Sequence, residues 1–387
     1  MKAFLHIALR SLQQLAERPL YWFGMIVLPC LLIFFLTDEM KEGLPQNCPA
    51  GIVDKDHTQL SRQVSRTLNG MQLVELTQEA NSFAEAMQDV KAGRTFGFFL
   101  IPENYQADLL AGRSPVVTFY TNMTYFVPGT LLYKNFKTVA VYTKAGTISN
   151  VITSAAGASQ EQITPMINPV NVVTHPIGNP WLNYNYYLCT GFVPAVLELM
   201  IFLLTAYTIC EEIKRGTSLR LMQDAGGSVI KAVTAKLLPQ TLIWCVMALA
   251  MESWLYAWNH FPMNGSWLWL TVSTLLFVLA CQGFALFVCS VIPNLRLSLS
   301  LCALTGILAF SLAAFSFPVQ SMYGALGIFS WILPVRYYYL IAIDQALDGV
   351  QLFYQRHYFI AYIIMIFSPL TMMWHLKKHM LKPVYIP

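Results

Sequence analysis

Charge is what this chain has least of. Asp, Glu, Lys and Arg make up 11% of its 387 residues, where a soluble globular domain carries about 25%. Apolar residues make up 56% and aromatic residues 13%, and the mean hydropathy is +0.50. That balance excludes an ordinary soluble domain and points to lipid surroundings. The net charge of +4 comes without any long basic or acidic run, so nothing suggests nucleic acid as a partner. The eight cysteines include no Cys-x-x-Cys pair and no Cys/His cluster, and a zinc site is not expected. The one large polar segment contains Cys48 alone, too few for a disulfide framework. No Gly is followed by Lys, so the phosphate-binding loop G-x-x-x-x-G-K-[ST] is missing. No Ser stands in a G-x-S-x-G context. The chain therefore offers no catalytic residues, and any ATP it depends on is hydrolysed by another chain.

Long apolar runs are what it does have. A spanning helix needs roughly 20 mostly apolar residues. Six stretches qualify, at about 20–37, 187–209, 237–258, 267–292, 297–317 and 358–374. A further apolar run at 322–343 is broken by Gly324, Gly327 and Pro334. It reads as one or two short helices dipping into a leaflet. The expected fold is a polytopic α-helical membrane protein with an α/β domain inserted after the first span. Its parts are an interface helix at 1–19, a span at 20–37, the inserted domain at 38–186, and a five-helix membrane domain at 187–387. The last contains a short polar helix at about 217–225 and a re-entrant segment at about 318–345.

Orientation follows from basic residues in short flanks. Lys2, Arg10 and Arg18 precede the first span. Lys214, Arg215, Arg220, Lys231 and Lys236 follow the second, Arg296 follows the fourth, and Lys377, Lys378 and Lys382 close the chain. Six spans put all four groups on one side, the cytoplasm, with both termini. The loop at 259–266 has no Lys or Arg, which fits the opposite side. Residues 1–19 read as an amphipathic helix with Phe4, Ile7, Ala8, Leu12 and Leu15 on one side, and Tyr21 and Trp22 at interface level. The first span lacks a small-x-small cleavage pattern after it and is expected to stay as an anchor.

The inserted segment alternates strand and helix signals, which suggests a small α/β sheet. Strands are expected at 50–54, 71–77, 95–102 and 115–122, and helices at 57–70, 82–93 and 103–112. Gly70, Gly93 and Gly112 are expected as left-handed caps. Residues 127–156 read as a long helix, and 162–180 are rich in Pro and Asn. Asp54, Asp56 and His57 stand together before a helix. They fit either a metal or acid–base site or, as the simpler reading, a strand end and a helix cap.

Glu198, Glu252 and Gln282 fall inside the apolar runs. A charge at mid-bilayer costs about 2.5–3.5 kcal/mol, so such a group faces protein or a wet cavity. One reading makes these residues a translocation path. The other makes them protonated or paired groups that hold helices together.

Four stretches carry a family resemblance. RPLYWFGMIVLPCLLIFFL resembles the first span, and GIVDKDHTQLSRQVSRTLNG the first strand and helix of the inserted domain, in permeases of the type-2 ATP-binding cassette (ABC) exporter family. EEIKRGTSLRLM followed by VTAKLLPQ resembles the family's acidic–basic, Gly-Thr and Lys-hydrophobic-Pro signature. FPVQSMYGALGIFSWILPVRYYY resembles its re-entrant segment, with Phe317, Pro318, Met322 and Pro334 at the recurring positions. Ala235 stands where the family often has Gly, and no Arg stands near Ile343-Asp344.

The resemblance implies the permease subunit of an ATP-driven exporter in a bacterial cytoplasmic (inner) membrane, with its inserted domain outside the cytoplasm. The implied cargo is a drug, lipid or other amphiphile. The implied partners are a cytoplasmic ABC ATPase that holds ATP and Mg, a second permease, identical or similar, and, in the subgroup with a long outer domain, a periplasmic adaptor and an outer-membrane channel. No cofactor is expected on this chain. It implies that Glu211, Glu212, Arg215, Gly216, Thr217, Leu219, Arg220, Leu221 and Met222 couple to the ATPase. In that reading the short helix at 217–225 is a knob seated in the ATPase, begun by a Thr217 or Ser218 cap and stopped by Gly226-Gly227. The plainer alternative is an interfacial helix resting on lipid. Two other functions stand beside the exporter. A membrane-anchored sensor or scaffold would need a signalling module longer than any inner segment here. A secondary transporter or channel would show an internal repeat, and none is apparent.

Overall fold

The structure, a computed structural model, describes residues 2–111, 113, 115–156, 178–179 and 183–383. It forms two compact units, one of Met1–Gly43 with Pro176–Pro387 and the other of Leu44–His175. The first unit opens with α1 (Lys2–Glu17) and α2 (Pro19–Glu39). A π turn at Phe23–Val27 interrupts α2 just before Pro29. Proline has no N–H to give to the preceding turn, and the wider turn absorbs the missing bond.

The Leu44–His175 unit is built on a four-stranded sheet. Its elements are β1 (Cys48–Asp54), α3 (Gln59–Asn69), β2 (Val74–Glu79), α4 (Phe83–Lys91), β3 (Gly97–Ile101), α5 (Tyr105–Leu110), β4 (Thr118–Thr121) and α6 (Phe126–Ala156). The order is β2-β1-β3-β4, with β1 parallel to β2 and β3, and β4 antiparallel to β3. Alternation along the strands sorts the core. Ala50, Ile52, Phe99 and Ile101 pack with Val64 and Leu68 of α3 and with Leu132 and Phe136 of α6. Val53 and Phe98 pack on the other face with Ala86 of α4. The glycine caps need correction. Gly93 is left-handed (φ +73°), but Gly70 is right-handed (φ −81°), and Gly112 lies outside the described residues. Gly70 still donates to Arg66 O at 2.9 Å, so the helix end closes without the left-handed turn.

The first unit resumes with α7 (Tyr184–Lys214), α8 (Ser218–Asp224), α9 (Val229–Trp258), α10 (Trp267–Val291) and α11 (Leu295–Leu312). It ends with α12 (Gly324–Ser330), α13 (Pro334–Asp348) and α14 (Leu352–Leu381). Six of these helices are long and apolar enough to cross a membrane: α2, α7, α9, α10, α11 and α14. Side-chain caps fix several starts. Asn183 accepts from Asn185 N at 2.8 Å, Ser228 from Lys231 N at 3.5 Å, and Asn294 from Arg296 N at 3.0 Å. Small residues set the closest helix contacts. A Cβ on Gly283 of α10 would stand 2.5 Å from Met365 O of α14, and one on Gly306 of α11 would stand 2.6 Å from Leu199 of α7.

Three expectations shift here. The fifth span ends at Leu312, because the chain turns at Ala314 (φ +78°) to bury Phe315 against Phe192 and Tyr339. The apolar run after it does as expected and forms two helices, α12 and α13, bent by 80° at their break. Tyr21 lies inside the bundle, where its hydroxyl accepts from Thr208 at 3.2 Å, while Trp22 is exposed. The face of α1 also differs. Ile7, Ala8, Ser11 and Leu15 are buried, with the Ser11 hydroxyl donating to Lys236 O of α9 at 2.6 Å, and Phe4 and Leu12 are exposed.

Candidate functional site

The polar break between α7 and α9 is rigidly built. Gly216 takes φ +71° in open space, which lets the chain leave α7 without Cβ strain. Neither expected hydroxyl caps α8. Thr217 Oγ1 donates instead to Glu212 Oε2 at 2.5 Å, and Ser218 Oγ donates to Met380 O of α14 at 2.9 Å. Those two bonds tie the start of α8 sideways to its neighbours. Gly226 and Gly227, both left-handed, close its end, with Gly227 N donating to Met222 O at 2.8 Å.

Leu219, Leu221 and Met222, expected together as coupling residues, fall on different faces of α8. Leu221 and Met222 are 3% and 1% exposed and point into the bundle, whereas Leu219 is 42% exposed beside the exposed Arg220. Leu221 and Met222 are thus anchors, and Leu219 and Arg220 are what a partner can touch. Asp224 at the far end of α8 meets Arg10 of α1 at 3.5 Å.

Glu211 and Glu212 are buried and feed two ion-pair clusters. Glu211 binds Arg18, accepts from Tyr207 at 2.7 Å and pairs with Arg215 at 2.8 Å. Glu212 accepts from Lys236 Nζ at 2.5 Å, and Lys236 also donates to Gln14 Oε1 at 2.6 Å. Charges this deep persist only when paired and hydrogen-bonded. The clusters join α1, α7, α8 and α9 at one end of the bundle. Sequence reading missed Arg18, Gln14 and Tyr207 as partners, because no local pattern links them to the acids. At the same end, Lys214, Arg296, His375 and His379 line a cavity of about 760 Å³.

Glu198, Glu252 and Gln282 are buried, but each has separate partners. Glu198 Oε2 accepts from Val335 N at 2.6 Å, next to Pro334, and lies 3.8 Å from Cys281 Sγ. It caps the start of α13, where backbone N–H groups have no partner within the helix. Glu252 accepts from Thr271 at 2.7 Å, and Gln282 from Thr241 at 2.7 Å. Each acts as a bridge between helices.

In the segment expected to be re-entrant, Phe317 and Pro318 are exposed, Met322 is half-buried, and Pro334 is buried at the first turn of α13. Arg336, which sequence reading passed over, is buried with its guanidinium 5.1 Å from the Trp331 ring centre. In the inserted unit the carboxylates of Asp54 and Asp56 hold local backbone, and His57 takes part through its main chain. Asp54 accepts from Asp56 N, His57 N and Ser61 Oγ, and Asp56 accepts from Gln106 N at 3.1 Å. Thr58 and Ser61 form a capping box at the start of α3. Burial pushes the Cys48 thiol up from its ordinary value, away from reactive thiolate chemistry.

Six apolar helices, a bent helix pair and a charged break clamped to the bundle fit a polytopic helical membrane protein. Residues 19–375 match the ABC-2 family transporter protein family. The chain belongs to that family and is a membrane permease component of an ABC transporter. Membership implies partnership with an ABC ATPase subunit. No curated protein compared with the chain matches it.

Proposed function

We propose that this permease is the transmembrane subunit of an ATP-driven exporter, and that α8 is the element through which the ATPase moves it. The observation that carries this reading is the division of labour on α8. Its inner face is fastened by Leu221, Met222 and the Ser218–Met380 bond, while Leu219 and Arg220 face outward. A helix of seven residues cannot hold its shape alone. Fastened this way it moves as one body with α7, α9 and α14, so a push on Leu219 reaches the spans. Interfacial lipid contact would not require such fastening.

In this reading the α8 end is cytoplasmic, because Arg10, Arg18, Lys214, Arg215, Arg220 and Lys231 gather there. Both termini then lie in the cytoplasm of a bacterial cell, and Leu44–His175 lies outside the inner membrane. ATP and Mg reside on the partner ATPase. Two permeases, identical or similar, enclose the path of an amphiphilic cargo, and a periplasmic adaptor with an outer-membrane channel extends it. Glu198, Glu252 and Gln282 serve as helix bridges on this view.

The test is co-purification with the partner ATPase from the native membrane. Leu219→Asp and Arg220→Glu are expected to release the ATPase while the permease keeps its thermal transition. Full retention of the ATPase by both variants would sink the assignment of α8. Transport by the permease alone in liposomes would sink the ATP-driven reading.

A further inference from the structure

The cavity of about 760 Å³ at the α8 end lies where the end of α7, the turn between α10 and α11, and the end of α14 meet. Lys214, Arg296, His375 and His379 line it, and no Asp or Glu stands among its described lining residues. His375 is held in place. Its Nδ1 donates to Ser290 O at 2.8 Å, and the His379 ring meets it edge to face with centroids 4.7 Å apart. Lys214 and Arg296 are exposed and the two histidines half-buried, so all four can be reached from outside.

The neighbouring clusters are balanced and this one is not. Arg10 has Asp224, Arg18 and Arg215 share Glu211, and Lys236 has Glu212. None of the four basic residues of the cavity makes an ion pair among the described residues. Charge of one sign around a cleft with low-dielectric walls focuses a field that draws in the opposite sign. The cavity therefore selects an anion, and a cation finds no partner in it.

The apolar wall chooses among anions. Ile213, Leu295 and Leu297 line the same cavity. From Leu297 an exposed stripe runs along α11 through Leu301, Leu304 and Leu308, residues whose spacing places them on one helix face. Because α11 is long and apolar enough to cross a membrane, the stripe leads from the cavity into the bilayer. A soluble phosphate would use the basic groups and leave the stripe unused. A zwitterionic lipid would bring its own cation against Lys214 and Arg296. We propose that the cavity holds the headgroup phosphate of an anionic phospholipid, with an acyl chain along the α11 stripe. Basic pockets between membrane helices are suited to such headgroups. The inference needs only a chain embedded in a bilayer, and its binding is measured without the ATPase, so it stands or falls apart from the exporter reading.

The test uses the full chain in a neutral detergent, titrated with single lipids and read by native mass spectrometry. The probes are dioleoylphosphatidylglycerol, dioleoylphosphatidylcholine, which has the same chains and no net charge, and glycerol phosphate, which has no chain. Phosphatidylglycerol is expected to bind about thirtyfold more tightly than phosphatidylcholine, roughly fivefold from each of Lys214 and Arg296. Lys214→Gln with Arg296→Gln should bring the two lipids to within about twofold of each other. Both side chains are exposed, and the double variant should keep its thermal transition. Lys231→Gln with Lys377→Gln removes as much charge from exposed residues outside the cavity and should leave the preference intact. Equal binding of the two lipids by the unaltered chain overturns the proposal. So does an equal loss of preference in the two double variants, because surface charge in general would then be the cause. Glycerol phosphate binding as tightly as phosphatidylglycerol also overturns it, because the occupant would then be a soluble phosphate with no use for the stripe.

Discussion

Lys236 Nζ lies 2.5 Å from Glu212 Oε1, and the two residues are only 5% and 7% exposed. One stands on α9 and the other on α7, so the pair spans the break that α8 bridges. Thr217 occupies the second oxygen of Glu212, and Gln14 of α1 takes another ammonium proton. Every charge in the group is answered, which is the condition under which buried ions are tolerated.

Removing one member leaves the other buried and unpaired. Lys236→Met is expected to cost about 3–5 kcal/mol of stability, and Lys236→Met with Glu212→Gln clearly less than the two single losses added together. Unfolding of the two single variants and the double variant in detergent measures the coupling. Strictly additive losses would mean that the two groups do not interact.

The two leucines of α8 should behave in opposite ways. Leu221→Ala removes a buried anchor and is expected to cost about 2–5 kcal/mol. Leu219→Ala removes an exposed side chain and should stay within about 0.5 kcal/mol. Thermal denaturation of each variant separates them, and equal losses would contradict the face assignment.

Gly226 and Gly227 have left-handed backbones, and a Cβ at either would meet nothing within 4 Å. Any penalty on substitution is therefore backbone strain. Gly226→Ala and Gly227→Ala should each cost about 1–2 kcal/mol, and Asn less at the same positions. Chemical denaturation reads both. A loss no greater for Ala than for Asn would place the cause elsewhere.

Glu198 gives a test of capping against transport. Glu198→Gln keeps an oxygen for Val335 N–H and should retain most stability and transport. Glu198→Leu strands that N–H and should cost about 1–3 kcal/mol. Transport lost in the Gln variant at unchanged stability would show that the carboxylate has a role beyond the cap.

Much of the architecture was legible in the chain itself. Hydropathy over 18 or more residues marks six spans because a bilayer imposes a length and a composition locally. Gly324, Gly327 and Pro334 marked the break that became two bent helices. Strand signals alternating with helix signals predicted the sheet, and Gly226-Gly227 marked the end of α8. Each of these signals lies within a few residues of what it specifies. The cap expected at Ser218 failed because its hydroxyl found Met380 O, 162 positions away, whereas Gly70 and Thr217 closed on the local partners Arg66 and Glu212 in place of the expected ones.

What the sequence by itself determined is therefore the number of apolar helices, the inserted sheet, the place of the break, and the family. Only the tertiary structure decided how that break works. Glu211 finds Arg18 from 193 positions away, Glu198 finds Val335 from 137, and Ser218 finds Met380 from 162. It also decided that Leu221 and Met222 face inward. The physical reason is common to all of these. Periodicity says that a helix exists and roughly which residues are apolar, but a charge or a hydroxyl settles its partner only when packing brings distant helices together and removes water from between them.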